Sequence, residues 1–248
     1  GDTMTREEAL QLLQQNDNLR KFLNVLSISE GTHSFSNPYL AKGGTNGALL
    51  TTGFGAHPAA TGQGTWGFKD KLGRNLQSTA NGKYAIRYPT WQGIEKAWGK
   101  MDFSPTSQDA AAVYLINQRG ALNDVINGNW NSALPKLGKE WASLPTAPDS
   151  YQQFRHSWDS IRKAFNKVGL DASSIGGGNV QYATRPTIDA VGTGYAATTK
   201  KAGQDLLQQM MQAPKQQFEE PPAIVVSGSP AEYATIQWLT KPTGMYGW

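Results

Sequence analysis

The chain has 248 residues, 38% hydrophobic and 17% charged, enough for one generous domain or one compact domain with an appendage. It has no cysteine, which excludes disulfides, thiolate metal sites and a cysteine nucleophile. Residues 171–248 hold five Lys/Arg and six Asp/Glu, leaving 18 basic and 13 acidic residues, a net +5, in residues 1–170. That excess favours polyanions in general, cell wall included. The chain has no dense basic block with interleaved aromatics, so no nucleic-acid partner is expected.

Gly1 to Met4 shows neither a basic n-region nor an apolar h-region, so no signal peptide is expected. No apolar run reaches the roughly 18–20 residues of a membrane span. Residues 5–15 predict a short helix. Thr5 and Glu8 form a capping-box pattern, and Leu10, Leu12 and Leu13 supply an apolar side. Asn16, Asp17 and Asn18 interrupt it and can cap a second helix over 19–30. There Leu19, Phe22, Leu23 and Leu26 recur at helical spacing and Gly31 is a natural stop. Residues 31–80 are rich in glycine with polar and aromatic residues between, which predicts loops and short strands in a small irregular β lobe.

Helices return over 88–168. Pro89 opens one that carries Trp91, Ile94 and Trp98. Ser104-Pro105 starts another, with a cap followed by proline at the first helical position, and Gly120 ends it. Residues 122–126 and 130–137 read as two short helices, and residues 144–148 as a loop. A last helix is expected to carry Phe154, Trp158, Ile161 and Phe165 on one face. After residue 171 the composition shifts to Ala, Gln, Gly, Thr and Pro, with Gly176, Gly177 and Gly178 at the boundary. A helix over 203–212 and a strand over 223–226 are expected, in a segment that hardly buries a core of its own. The expected division is an N-terminal extension helix (1–16), a main folded domain (17–170) and an irregular C-terminal extension (171–248) that docks on a partner.

Cleaving a glycosidic bond requires a carboxylic acid still protonated near neutral pH, and apolar surroundings favour that form. Glu30 fits, because it closes an apolar helix just before Gly31 and faces the glycine-rich lobe. A helix C-terminus also disfavours a carboxylate. Three histidines without clustered spacing offer no metal site, no Gly-x-Ser-x-Gly elbow is present, and the glycine-rich stretches lack a Gly-Lys-Ser/Thr ending.

Several ordered motifs carry a resemblance: Ser29-Glu30-Gly31-Thr32, His57-Pro58, Ser78-Thr79-Ala80-Asn81-Gly82-Lys83-Tyr84, and Asp102-Phe103-Ser104-Pro105 with Ser107-Gln108-Asp109. Arg119-Gly120-Ala121-Leu122, Trp141-Ala142-Ser143-Leu144-Pro145, and Tyr151, Gln153, Phe154 and His156 complete it. Over about residues 19–169 the sequence resembles the phage lambda endolysin family of lysozyme-fold, peptidoglycan-degrading enzymes. The resemblance implies an α+β, mainly helical fold, a lysozyme-like domain with a small β lobe and a cleft between lobes. It also implies a lytic transglycosylase acting on the peptidoglycan glycan strand with no cofactor. Glu30 would protonate the oxygen between N-acetylmuramic acid and N-acetylglucosamine. It would then take a proton from the muramoyl 6-hydroxyl as that oxygen closes on C1 to give a 1,6-anhydro sugar. The nucleophile belongs to the substrate, so no second protein carboxylate is required.

The resemblance also nominates residues for substrate contact. Ser78 and Tyr84 would line the cleft from the β lobe, or else order their own turns. Ser143, Tyr151 and Gln153 would form the opposite lip. Trp141 reads as core rather than sugar platform, and His57 and His156 as structural. Where the family often has Gln after the motif tyrosine, this chain has Ala85, and where it often has Asp before His-Pro, this chain has Ala56. The unmatched tail favours a virion- or tail-associated enzyme over a free endolysin released through a holin. The alternatives left open are a hydrolytic muramidase and a non-catalytic virion protein that keeps the fold.

Overall fold

The structure, a computed structural model, describes residues 3–176. The helix expected over 203–212 and the strand expected over 223–226 lie outside these residues. Seven α-helices carry the architecture: α1 (Arg6–Gln15), α2 (Asp17–Ser29), α3 (Tyr88–Trp98), α4 (Pro105–Gln118), α5 (Leu122–Asn127), α6 (Trp130–Leu137) and α7 (Trp158–Lys167). Between α2 and α3 the chain makes single 3-10 turns and one hairpin of β1 (Trp66–Lys69) and β2 (Asn75–Ser78). The fold is therefore mainly helical with a small β sheet, the lysozyme-like α+β class expected.

Local chemistry explains the helix boundaries. Thr5 and Glu8 form a reciprocal capping box, with Thr5 N–H on Glu8 Oε2 at 2.8 Å and Glu8 N–H on Thr5 Oγ1 at 3.1 Å. Ser104 caps α4 ahead of Pro105, and Ser157 caps α7. The Ser157 cap corrects one expectation. Phe154 does not share the α7 face, because the chain stays non-helical through Ser157, and its ring instead meets His156 edge-on at 5.7 Å.

Helix α2 is the axis of the core. Leu19, Phe22, Val25 and Leu26 are all 0% exposed, so apolar contact reaches it from several sides. Phe22 stacks on Trp130 at 5.5 Å, and Trp130 meets Phe165 edge-on at 4.9 Å, which ties α6 and α7 to α2. Helix α4 buries Ala110, Ala111 and Ala112 completely, small side chains that let neighbouring elements approach its backbone. Helix α1 joins the same core through Ala9. It is tied down by Trp98 Nε1–H on Met4 O at 2.7 Å and by the Arg6 guanidinium on Ser107 Oγ at 3.2 Å.

Polar side chains tie the segments of the β lobe together around buried Phe35, Leu50 and Phe68. The hairpin pairs antiparallel, Trp66 with Ser78 through Lys69 with Asn75. Its turn folds around Asp70, whose Oδ1 accepts the Leu72 and Arg74 backbone N–H groups, both at 2.9 Å. Asn81 joins three strands of chain: its Oδ1 accepts Gly43 N–H at 2.8 Å, and its Nδ2 donates to Gly64 O at 2.8 Å and Thr79 O at 3.0 Å. His57 inserts among Tyr88, Trp91 and Phe103, with its Nε2–H on Ile86 O at 2.8 Å. Burial holds its imidazole down at about 4, so it is neutral in the fold.

Candidate active site

Glu30 is the C-cap of α2 and is 0% exposed. Its backbone stays helical at φ −77°, and Gly31 then turns left-handed at φ 74°, a conformation that penalises any residue with a Cβ. The chain therefore leaves the helix immediately after the carboxyl. Thr32 fixes the exit by donating its hydroxyl to Lys83 O at 2.5 Å, while Ser27 Oγ lies 2.9 Å from Thr32 Oγ1. This joins the end of α2 to the segment that carries Tyr84.

From the other side comes residues 141–156. The Ser143 hydroxyl donates to Glu30 Oε1 at 2.6 Å and lies 2.7 Å from the Ser29 hydroxyl. His156 holds the two serines together. Its backbone N–H donates to Ser143 O at 2.8 Å and its ring Nε2–H to Ser29 O at 2.8 Å. A carbonyl only accepts, which assigns the proton to Nε2. Burial depresses the His156 pKa, partly opposed by that bond, so the ring is neutral. Trp141 is 3% exposed and donates its indole N–H to Tyr84 O at 3.1 Å, which makes it a core residue bridging two segments.

The residues nominated for substrate contact occupy different environments. Ser143 is 1% exposed and touches Glu30 itself. Ser78 is buried at the end of β2, where its Oγ accepts Ala80 N–H at 3.0 Å and orders its own turn. Gln153 is also buried. Tyr151 is half-buried, with its hydroxyl on Lys139 O at 2.9 Å. Tyr84 lies elsewhere, in the lining of a cavity that Glu30 does not border. Its ring is 1% exposed and its hydroxyl donates to Asp109 Oδ1 at 2.5 Å, so it is committed to packing and to that carboxylate. Lys71 N–H donates to Gln152 O at 3.0 Å, which joins the hairpin tip to the opposite loop. Among the described residues, the two non-glycine residues with positive φ, Ala85 and Gln152 (both 51°), adjoin Tyr84 and Gln153.

Tyr84 belongs to a second polar cluster that the sequence reading did not single out. Asp109 accepts from Tyr84 and also from the Tyr39 hydroxyl, at 3.0 and 3.1 Å. The Lys83 ammonium lies 4.7 Å from the Tyr39 ring centroid and donates to Asn24 Oδ1 at 3.1 Å. Burial raises the Asp109 pKa, and the two phenol bonds and Lys83 pull it back. Burial also lowers the Lys83 pKa, opposed by Asp109. This cluster borders a cavity of about 450 Å³ whose lining includes Leu10 and Leu13 of α1, and Glu30 is not part of that lining. Gly82 must lack a side chain, since a Cβ there would meet Gln108 Oε1 at 2.5 Å and the Phe103 ring at 2.8 Å.

With this geometry in view, the sequence model of the endolysin family matches residues 20–172, more than half of the chain. The chain belongs to the endolysin family. The endolysin of Escherichia phage P2 is 32% identical over 169 residues, spanning 64% of this chain and 98% of that protein. The endolysin of Escherichia phage lambda is 33% identical over 160 residues, spanning 64% of this chain and 95% of that protein. The structure of bacteriophage lambda lysozyme complexed with a chitohexasaccharide aligns with TM-score 0.52 at 33% identity, covering 62% of this chain and 96% of that one. The family match leaves out α1 and everything after residue 172. Among the described residues, no helix is long and apolar enough to cross a membrane, and no group of three or more His, Cys, Asp or Glu could hold a metal ion.

Of the residues that contact Glu30 or its partner, Ser29 and His156 were not nominated for a role in the site. Ser29 was legible in principle as the small polar neighbour of the motif glutamate. The role of His156 was not, because its partners lie 13 and 127 residues away in sequence.

Proposed function

We propose that this endolysin-family chain is a lytic transglycosylase that cleaves the glycan strand of peptidoglycan, with Glu30 as its acid and base. The observation that carries the reading is a fully buried carboxyl at the end of an apolar helix, hydrogen-bonded to the Ser143 hydroxyl at 2.6 Å. Removing a carboxyl from water penalises its charged form, which suits a group that must first give up a proton. Glu30 protonates the glycosidic oxygen as the C1–O bond breaks. The muramoyl 6-oxygen then bonds to C1 and its proton returns to Glu30, leaving a 1,6-anhydro end and a regenerated acid. The chitohexasaccharide complex of lambda lysozyme supports a glycan ligand for this chain. Tyr151 and Gln153 are the substrate contacts of this reading. Ser78 and Tyr84 order the β-lobe side behind the surface.

The test is mass spectrometry of soluble products from purified peptidoglycan, comparing wild type with Glu30→Gln. Anhydro-muropeptides from the wild type that vanish in the variant are the expected outcome. Reducing ends would make the protein a hydrolase with the same acid, and no release by a folded wild type would leave a binding or structural role.

The family match ends at residue 172, which supports a separate job for the remainder. In this reading residues 17–170 are the muralytic domain, and the extension beyond 171 docks the enzyme onto the phage tail for delivery to the host periplasm. Deleting residues 175–248 should spare catalysis and abolish incorporation into particles. Normal incorporation of the truncated protein would refute docking.

A further inference from the structure

The Ser143 hydroxyl faces protein, not solvent. It is 1% exposed, and both of its hydrogen-bond partners are side chains of the same short segment, Glu30 Oε1 at 2.6 Å and Ser29 Oγ at 2.7 Å. A hydroxyl has one proton. When Ser143 gives its proton to Glu30, Ser29 must donate to Ser143. That polarity suits the carboxylate, the form of Glu30 that receives the 6-hydroxyl proton. When Glu30 carries its proton on Oε2, Ser143 can keep donating to Oε1, so the same bond serves the acid. The Ser29–Ser143 bond is compatible with either direction of donation.

We infer that Ser29 and Ser143 form a two-hydroxyl relay, clamped by His156, that positions Glu30 and matches both of its protonation states. This rests on the reading of Glu30 as acid and base. Both serines act through Glu30 rather than on the glycan, so both are positioning residues. His156 sets their spacing through two bonds of 2.8 Å, one to each serine's carbonyl, from its backbone and from its ring. The inference changes what Ser143 is for. As a lip residue it would bind glycan. As a relay it leaves binding alone and serves the proton steps.

Kinetics separate these roles. Steady-state rates on soluble glycan strands would be measured for wild type, Ser143→Ala, Ser29→Ala and the double variant, with Tm alongside. The relay predicts a kcat about 10- to 100-fold lower in Ser143→Ala, the scale of one charge-assisted hydrogen bond, with KM unchanged. Because Ser29 acts only through Ser143, the double variant should be no slower than Ser143→Ala. A raised KM with kcat retained would make Ser143 a substrate contact and overturn the relay, as would additive losses in the double variant. If Ser143→Ala fails to fold, Ser29→Ala carries the test alone: a lower kcat at constant KM and Tm supports the relay, and an unchanged kcat refutes it. Wild-type turnover that neither variant alters defeats this inference only. An inactive wild type defeats the proposed reaction and the relay together.

Discussion

Two carboxyls, Glu30 and Asp109, meet different partners in the fold. Asp109 accepts two phenol hydroxyls, from Tyr84 at 2.5 Å and Tyr39 at 3.0 Å, with the Lys83 ammonium in the same cluster. Glu30 accepts the hydroxyl of Ser143, a neutral group that is itself bonded to the Ser29 hydroxyl. Phenols that donate into Asp109, together with a nearby cation, favour its charged form against burial, which raises its pKa. In the proposed reaction, neutral hydroxyls leave Glu30 free to change state. The contrast teaches that burial alone does not make a carboxyl reactive. The partners decide whether its proton can move.

The largest consequence is at Glu30. Glu30→Gln should lower turnover by ~10³-fold or more, the scale of losing a general acid and base, while Tm changes little. Retained turnover would remove the functional half of the contrast. The next effect concerns the buried neutral histidines, one in each region. The folded-state pKa of His57 is depressed to about 4 from an ordinary 6.5, and that of His156 is also depressed. The unfolded chain therefore takes up protons that the folded chain refuses. Their contribution is complete above pH 6.5 and is lost as pH falls from 6.5 towards 4, by on the order of 3 kcal/mol for His57. Denaturant titrations across that window should show the slope, and His57→Gln should reduce it, with His156 and His33, also depressed by burial, supplying the rest.

Asp109→Asn should come next, at about 2 kcal/mol of stability, because an amide cannot accept well from both phenols. Chemical denaturation measures the loss. The kcat should hold, since Asp109 is structural in this account, and a kcat loss at constant Tm would erase the distinction between the two carboxyls. The smallest effect tests the wall of the cavity beside Asp109. Thr5→Ala removes half of the capping box of α1 and should cost about 1 kcal/mol in Tm-derived stability, with turnover untouched.

Elements built from local patterns were legible along the chain. The Thr5/Glu8 box, the Ser104-Pro105 start and the Gly31 stop all specify helix ends through groups within a few residues of one another, and the structure has those ends. Glu30 was legible because an apolar helix followed by glycine and a motif coincide at one position. Phe154 was misplaced because helical spacing of apolar residues does not reveal a cap, and Ser157 supplies one.

The sequence by itself determined the mainly helical class, the family and the position of Glu30, since periodicity, caps and ordered motifs are properties of neighbouring residues. Only the tertiary structure decided what each polar side chain touches. Ser143 meets Glu30 across 113 residues and Tyr84 meets Asp109 across 25. Those pairings follow from how α2, the 82–84 segment and the 141–156 segment pack against one another. No spacing along the chain encodes a hydrogen bond made between elements.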